Sequence, residues 1–400
     1  MRPKPVLKLY RNLRLFSDRV PREYRRADVV LVLPDNWRLG APEGIAYTAL
    51  MNAIECLLAT NVPFDVANEA DLPALAQNPP RAVLMPLAYT LSDASVSALQ
   101  RLADSGCLVY LSGDPSTDPL GKRDTSRLQK LCGVNLQHVI EHPSGLPQPV
   151  VEQVQAEPLR ISTSVPVYHR RQGRGAVFYC PVPWETLPDR DVFVEHVTHT
   201  TSADTNLYLQ LLPAMGIHPP LRIEARQGVW RTSLTGDDAL RLVSLLPRQD
   251  KRVVSAVCLR LSDADIVWEA WQDLPCAVLI DEAAQPVAAT GGRSLWINGE
   301  MVAQGQSAWM LVSMNDKPLA QSDFLTATLM DGGNLRWRSH VQGLSAWVVE
   351  WRNRQAHTVA ELPLRKVPDG WEVACPSVEL VLICPKSSLR ECLSAISFQK

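Results

Sequence analysis

The residues of this 400-residue chain that could do chemistry are a cysteine with neighbours, a carboxylate and histidine group, and two tryptophans placed near strand ends. Cys180 is followed by Pro181, Glu185 and His196, so a thiol, a carboxylate and an imidazole lie within a short stretch and could supply a nucleophile with its base. A nucleophile needs an exposed, tight turn, however, and Cys180 reads as the late part of a strand. Cys107 sits at the head of a strand and reads as a packed apolar thiol. Glu195, His196 and His199 fall within one helical turn, a spacing at which side chains share a face and can bind zinc. No further strong ligand is close by, and Thr198, Thr200 and Thr201 make that face a polar surface, so no metal or other cofactor is expected. Trp37 follows the first apolar strand and Trp184-Glu185 follows the last. Ligands of open α/β sheets gather at such strand ends, so Trp37, Trp184 and Glu185 are the candidate sugar or interface contacts, with packing inside the protein as the plain alternative. Gly173-Arg174-Gly175 lacks the third glycine and helix start of a dinucleotide loop and reads as a turn. The basic run His169-Arg170-Arg171 reads as a short solvated turn.

Positioning elements come in two textures. Asp28 to Pro34 is a nearly continuous apolar run, as for a parallel strand covered on both faces. A helix follows from about Pro42, with Asn61 to end it. Phe64 to Val66 is a short strand, and Glu69-Ala70-Asp71-Leu72 begins a turn or short helix. After the strand around Arg81 to Pro86, Ser92 caps a helix whose buried face is Val96, Leu99, Leu102 and Ala103, and Gly106 stops it. Cys107 then leads into the strand Leu108-Val109-Tyr110-Leu111-Ser112, and Gly175 to Val182 is another strand. A stretch from about Asp191 to Met215 reads as helical. From about Pro219 the chain becomes short alternating runs separated by Gly, Pro, Asn and Asp, the pattern of antiparallel β structure. The expected organisation is a linker segment at 1–27, an α/β parallel-sheet domain at 28–217 and an all-β, sandwich-like region at 218–400. Most tryptophans of the second half should be core, with one or two free to stack on sugar rings.

Composition narrows the class. Lysine plus arginine (40) nearly balances aspartate plus glutamate (42), so no charge excess argues for nucleic acid or an acidic membrane surface. The first residues are basic and interrupted by proline, unlike a signal peptide, and no apolar run is long enough to span a bilayer. Nine cysteines without paired spacing suit buried thiols in a reducing compartment, and a cytoplasmic location is expected.

The alternation of strand and capped helix, with Ala70-Asp71-Leu72, Leu91-Ser92-Asp93 and Gly106, resembles the class I glutamine amidotransferase fold, flavodoxin-like in architecture. In that fold the turn after a central strand can carry a nucleophilic cysteine. Here the turn is Ser112-Gly113-Asp114-Pro115 and carries none. The version of the fold without its nucleophile is the trimerisation domain of β-galactosidases of glycoside hydrolase family 42. Ser313-Met314-Asn315-Asp316-Lys317-Pro318-Leu319-Ala320-Gln321-Ser322 resembles a stretch in the C-terminal parts of multidomain glycosidases, and reads as a hairpin turning at Asn315-Asp316. The resemblance implies a non-catalytic assembly and cleft-shaping region of a β-galactosidase-like enzyme, forming a homo-oligomer or joined to a (β/α)₈ barrel, with carbohydrate as a possible ligand. Such a barrel takes about 250 residues, and its two catalytic glutamates find no counterpart in this sequence, so the barrel would lie upstream or on another chain. A free-standing cysteine enzyme of the amidotransferase kind and a carbohydrate-binding protein are the alternatives.

Overall fold

The computed structural model describes residues 13–20, 27–34, 45–161, 165–186, 206–220, 222–225, 230–236, 239–247, 253–271 and 274–397. The chain divides into two compact units, 26–219 and a second made of 1–25 with 220–400.

In the α/β unit, β1 (Val29–Leu33), β2 (Phe64–Asn68), β3 (Ala82–Met85), β4 (Leu108–Ser112) and β9 (Gly175–Cys180) are mutually parallel. Between β4 and β9 lie the two-stranded ribbon β5 (Val134–Glu141) and β6 (Pro147–Gln153), then β7 (Glu157–Pro158) and β8 (Tyr168–Gln172). The main sheet runs β2-β1-β3-β4-β9-β8-β7, with β8 antiparallel to β9. Side chains alternate along each strand, and both faces are covered. Val30, Val32, Val83, Met85, Val109, Leu111 and Tyr179 face the helices α2 (Leu72–Leu75), α3 (Asp93–Asp104) and α4 (Ser126–Cys132). Val29, Leu31, Leu84, Tyr110, Phe178 and Cys180 face α1 (Ile45–Thr60) and α5 (Leu207–Ala214). Two covered faces are why the strands read as unbroken apolar runs.

The local signals act as the sequence implies. Ser92 Oγ accepts from the Ser95 amide at 3.0 Å to cap α3, and Gly106, with φ +112°, reverses the chain after it. Asn61 at φ +57° follows α1. The basic run is a correction: Tyr168–Gln172 is strand β8, not a solvated turn. Its pairing with β9 supplies backbone partners that outweigh a polar composition, and Gly173-Arg174 makes the tight turn between the two.

The second unit, among the described residues, consists of an eight-stranded and a nine-stranded sheet, both antiparallel. One apolar core draws on both sheets: Val257, Trp268, Leu295, Leu335 and Trp337 from the first, Val243, Val278, Leu311 and Val381 from the second. The runs Trp309–Ser313 and Leu380–Pro385 differ from the alternation read in the sequence, being buried on nearly every residue. The reason is a second covering. Leu15 packs with Trp347, Leu382, Cys384 and the helix α6 (Leu389–Ile396), and Phe16 with Leu279, Met310 and Val312, on the other face of the nine-stranded sheet. Arg19 joins this attachment by pairing with Asp316 and donating to the Met314 carbonyl at 2.8 Å. The hairpin at Ser313–Ser322 is wider than a turn at Asn315-Asp316, for Ser313 pairs with Leu325 and residues 314–324 form the connection. Within it Ser313 Oγ donates to Asn315 Oδ1 at 2.9 Å, and Asn315 Nδ2 donates to Asp323 at 2.6 Å. No helix among the described residues is long and apolar enough to cross a membrane.

Candidate functional site

The candidate site is a buried polar cluster at the C-terminal ends of β4 and β9. These strands are adjacent and in parallel register, with Ser112 opposite Cys180. The chain turns sharply after each: Gly113, at φ +88°, follows β4, and a single 3₁₀ turn, Trp184–Thr186, follows β9. The Gly113 amide donates to the Cys180 carbonyl at 3.0 Å, holding the two exits together. A methyl group on Gly113 would lie 2.6 Å from the Tyr89 ring, so the turn needs glycine on steric grounds as well as for its backbone angle.

Glu185 lies at the centre, 1% exposed. Ser112 Oγ donates to its Oε2 at 2.8 Å, while the hydroxyls of Tyr110 and Tyr208 both donate to Oε1 at 3.2 Å. Asn52 on α1 donates to the Glu185 carbonyl at 2.8 Å. Burial pushes the Glu185 carboxyl up to about 7, against the pull of its hydroxyl donors in the other direction. Trp184 is 4% exposed; its Nε1 donates to Tyr110 Oη at 2.7 Å and its ring meets Tyr208 edge to face. Both residues are thus packed inside the α/β unit. Trp37, the remaining candidate contact, lies outside the described residues, as do Glu195, His196 and His199.

The cysteines are not placed for attack. Cys180 is completely buried, and burial followed by the neighbouring Glu185 carboxylate raises its thiol well above the ordinary range. Its Sγ lies 3.3 Å from the Val182 carbonyl. A thiol held in this way is poorly ionised and inaccessible. Cys107 is also buried, immediately before β4. Asp114, in the turn after β4, is fully buried and satisfied by Ser116 and by Arg123 Nη2 at 3.0 Å. Among the described residues no group of three or more His, Cys, Asp or Glu side chains could hold a metal ion.

The partners of Glu185 escaped sequence reading. Tyr110 and Ser112 belong to an apolar strand, and Tyr208 belongs to an apolar helix; a hydroxyl in such a setting is the one available signal, because buried hydroxyls need partners.

No family model matches the sequence, and no curated protein does. Among solved structures the chain is similar to Gan42B, a GH42 beta-galactosidase from G. stearothermophilus, at 13% identity and a TM-score of 0.46, over 64% of this chain and 40% of that one. It is similar to the beta-galactosidase of Bacillus circulans sp. alkalophilus at 11% identity and a TM-score of 0.44, over 68% of this chain and 41% of that one. It is also similar to alpha-L-fucosidase isoenzyme 2 of Paenibacillus thiaminolyticus at 10% identity and a TM-score of 0.38, over 90% of this chain and 49% of that one. The chain spans less than half the length of each of these structures.

Proposed function

We propose that this chain is the non-catalytic assembly and cleft-shaping region of a β-galactosidase-like glycoside hydrolase, its α/β unit being of the amidotransferase-like, flavodoxin-like kind and its second unit sandwich-like. The observation that carries this reading is the filled strand end. Where the related enzyme fold can hold a nucleophile, this chain has Ser112-Gly113-Asp114, and Ser112 spends its hydroxyl on Glu185. Glycoside hydrolysis needs two carboxyl groups facing a sugar. Glu185 is enclosed by hydroxyls of its own unit, and Asp114 is enclosed by Ser116 and Arg123. Both carboxylates therefore serve the fold. In this reading the reacting glutamates belong to a (β/α)₈ barrel, in the same longer protein or in a partner, and the α/β unit offers a rigid surface for holding barrels together.

Light scattering on the full chain at tens of micromolar tests the assembly part. A dimer or trimer is expected, because a closed homo-oligomer with more than about 1,000 Å² buried would persist at that concentration. A strict monomer overturns the assembly role. An assay with aryl β-galactosides tests the catalytic part: turnover abolished by Glu185→Gln in a folded protein would overturn it.

A further inference from the structure

The solvent face of the eight-stranded sheet carries an arrangement that the assembly reading does not use. Cross-strand pairing sets Glu269 opposite Ser294, Ser294 opposite Gln304, Gln304 opposite Arg336 and Arg336 opposite Glu372. Their chain neighbours Leu295, Ala303, Leu335, Trp337 and Val373 enter the core, so this row lies on the opposite face, with Glu269 and Gln304 exposed and Ser294 covered. Over its Gln304, Arg336 and Glu372 part lies an open cavity of about 530 Å³ whose lining includes Trp271, Arg293, Gln304, Asn334, Arg336 and the carboxylate of Glu372.

Two features of the lining ask for a ligand. Among the described residues neither Arg293 nor Arg336 makes an ion pair through its guanidinium, and Arg336 Nε is enclosed with no acceptor at all. The carboxylate in the lining, Glu372, pairs with Arg365 at 3.1 Å, and Glu269 farther along the row accepts from Ser294 Oγ at 2.9 Å. The enclosed Nε is out of a ligand's reach, but a guanidinium without an ion-pair partner in the wall of an open groove suits a carboxylate or sulfate. The remaining lining has a different character: amide side chains, which donate and accept as hydroxyl groups do, and the half-buried indole of Trp271, which offers a flat apolar face. The net charge of −2 gives no overall cationic excess of the kind nucleic-acid-binding proteins carry.

We propose that this groove binds an acidic saccharide, with Arg336 and Arg293 holding its carboxylate or sulfate, Gln304 and Asn334 its hydroxyls, and Trp271 stacking on a sugar ring. The inference stands apart from the assembly reading, since it concerns only side chains of the eight-stranded sheet.

Calorimetric titration of the full chain with a trigalacturonate, a sulfated galactose oligosaccharide and neutral galactotriose tests it. At least one acidic probe should bind saturably, the neutral sugar at least about tenfold more weakly, and which acidic probe binds identifies the anion. Arg336→Gln and Trp271→Ala, each checked for an unchanged melting temperature, should each weaken that binding about tenfold or more. No saturable binding of either acidic probe would overturn the proposal. So would undiminished binding by Arg336→Gln, or displacement by inorganic sulfate at concentrations equal to the sugar's, which would mean that the saccharide contributes nothing.

Discussion

Ser112 and Glu185, 73 residues apart in the chain, meet at 2.8 Å, and the same Ser112 Oγ accepts the Leu87 amide at 2.9 Å. One hydroxyl thereby ties the exits of β3, β4 and β9, using both its donor and its acceptor capacity inside the protein. The carboxyl it serves is uncharged over part of the physiological range, because burial opposes ionisation more strongly than the hydroxyl donors favour it.

That balance makes stability depend on pH. The Glu185 carboxyl sits at about 7 in the folded chain against an ordinary 4.5, so the folded state holds its proton more tightly. The resulting stabilisation is complete below about pH 4.5 and is lost as pH rises through about 7, a change of roughly 3 kcal/mol. Glu185→Gln should remove this dependence. Urea denaturation at both ends of the window should show wild type losing more stability than the variant; equal losses would mean that the carboxyl is not raised.

Gly113→Ala should destabilise the α/β unit by about 2–3 kcal/mol. The cost combines a positive φ for a residue with a Cβ with displacement of the Tyr89 ring, whose hydroxyl donates to the Pro147 carbonyl at 2.8 Å. Gly145→Ala is the control: φ is +80° there, but a Cβ meets nothing within 4 Å. Thermal melts should separate the two, with Gly113→Ala falling further by several degrees.

Native alkylation should find Cys258 first. It is the one partly exposed cysteine, and the other eight are buried. Cys180 adds a raised thiol to its burial and should react only when the α/β unit unfolds. Iodoacetamide labelling read by peptide mass spectrometry distinguishes these sites. Rapid modification of Cys180 in the folded chain would reopen the cysteine-enzyme alternative.

Phe16→Ala should cost the second unit about 3 kcal/mol, as truncation of a buried aromatic does. Phe16 is 6% exposed and packs on Leu279, Met310 and Val312. Most tryptophans lie in that unit, so the loss should appear in the tryptophan-fluorescence transition. An unchanged midpoint would mean that residues 13–20 do not brace the sheet.

The sequence by itself determined the parallel strands of the α/β unit, the capped helix after β3, the β-rich character beyond residue 219 and the absence of a cysteine from the turn after β4. Each of these follows from local periodicity, a capping residue or the residue types in a single turn. Tertiary structure decided the rest. Tyr168–Gln172 is a strand because β9 supplies hydrogen-bond partners that its polar composition gives no hint of. Trp309–Ser313 is buried on both faces because Phe16 packs on Met310 and Val312, and Leu380–Pro385 because Leu15 and α6 pack on Leu382 and Cys384, surfaces that alternation alone would leave to solvent. Trp184 and Glu185 were legible as residues at a strand end, but their burial depends on α1 and α5 closing over them. The row from Glu269 to Glu372 exists only in the register of five strands. A local pattern states which face of an element is apolar; which partner arrives there depends on long-range pairing, whose energy is shared among residues far apart in the chain.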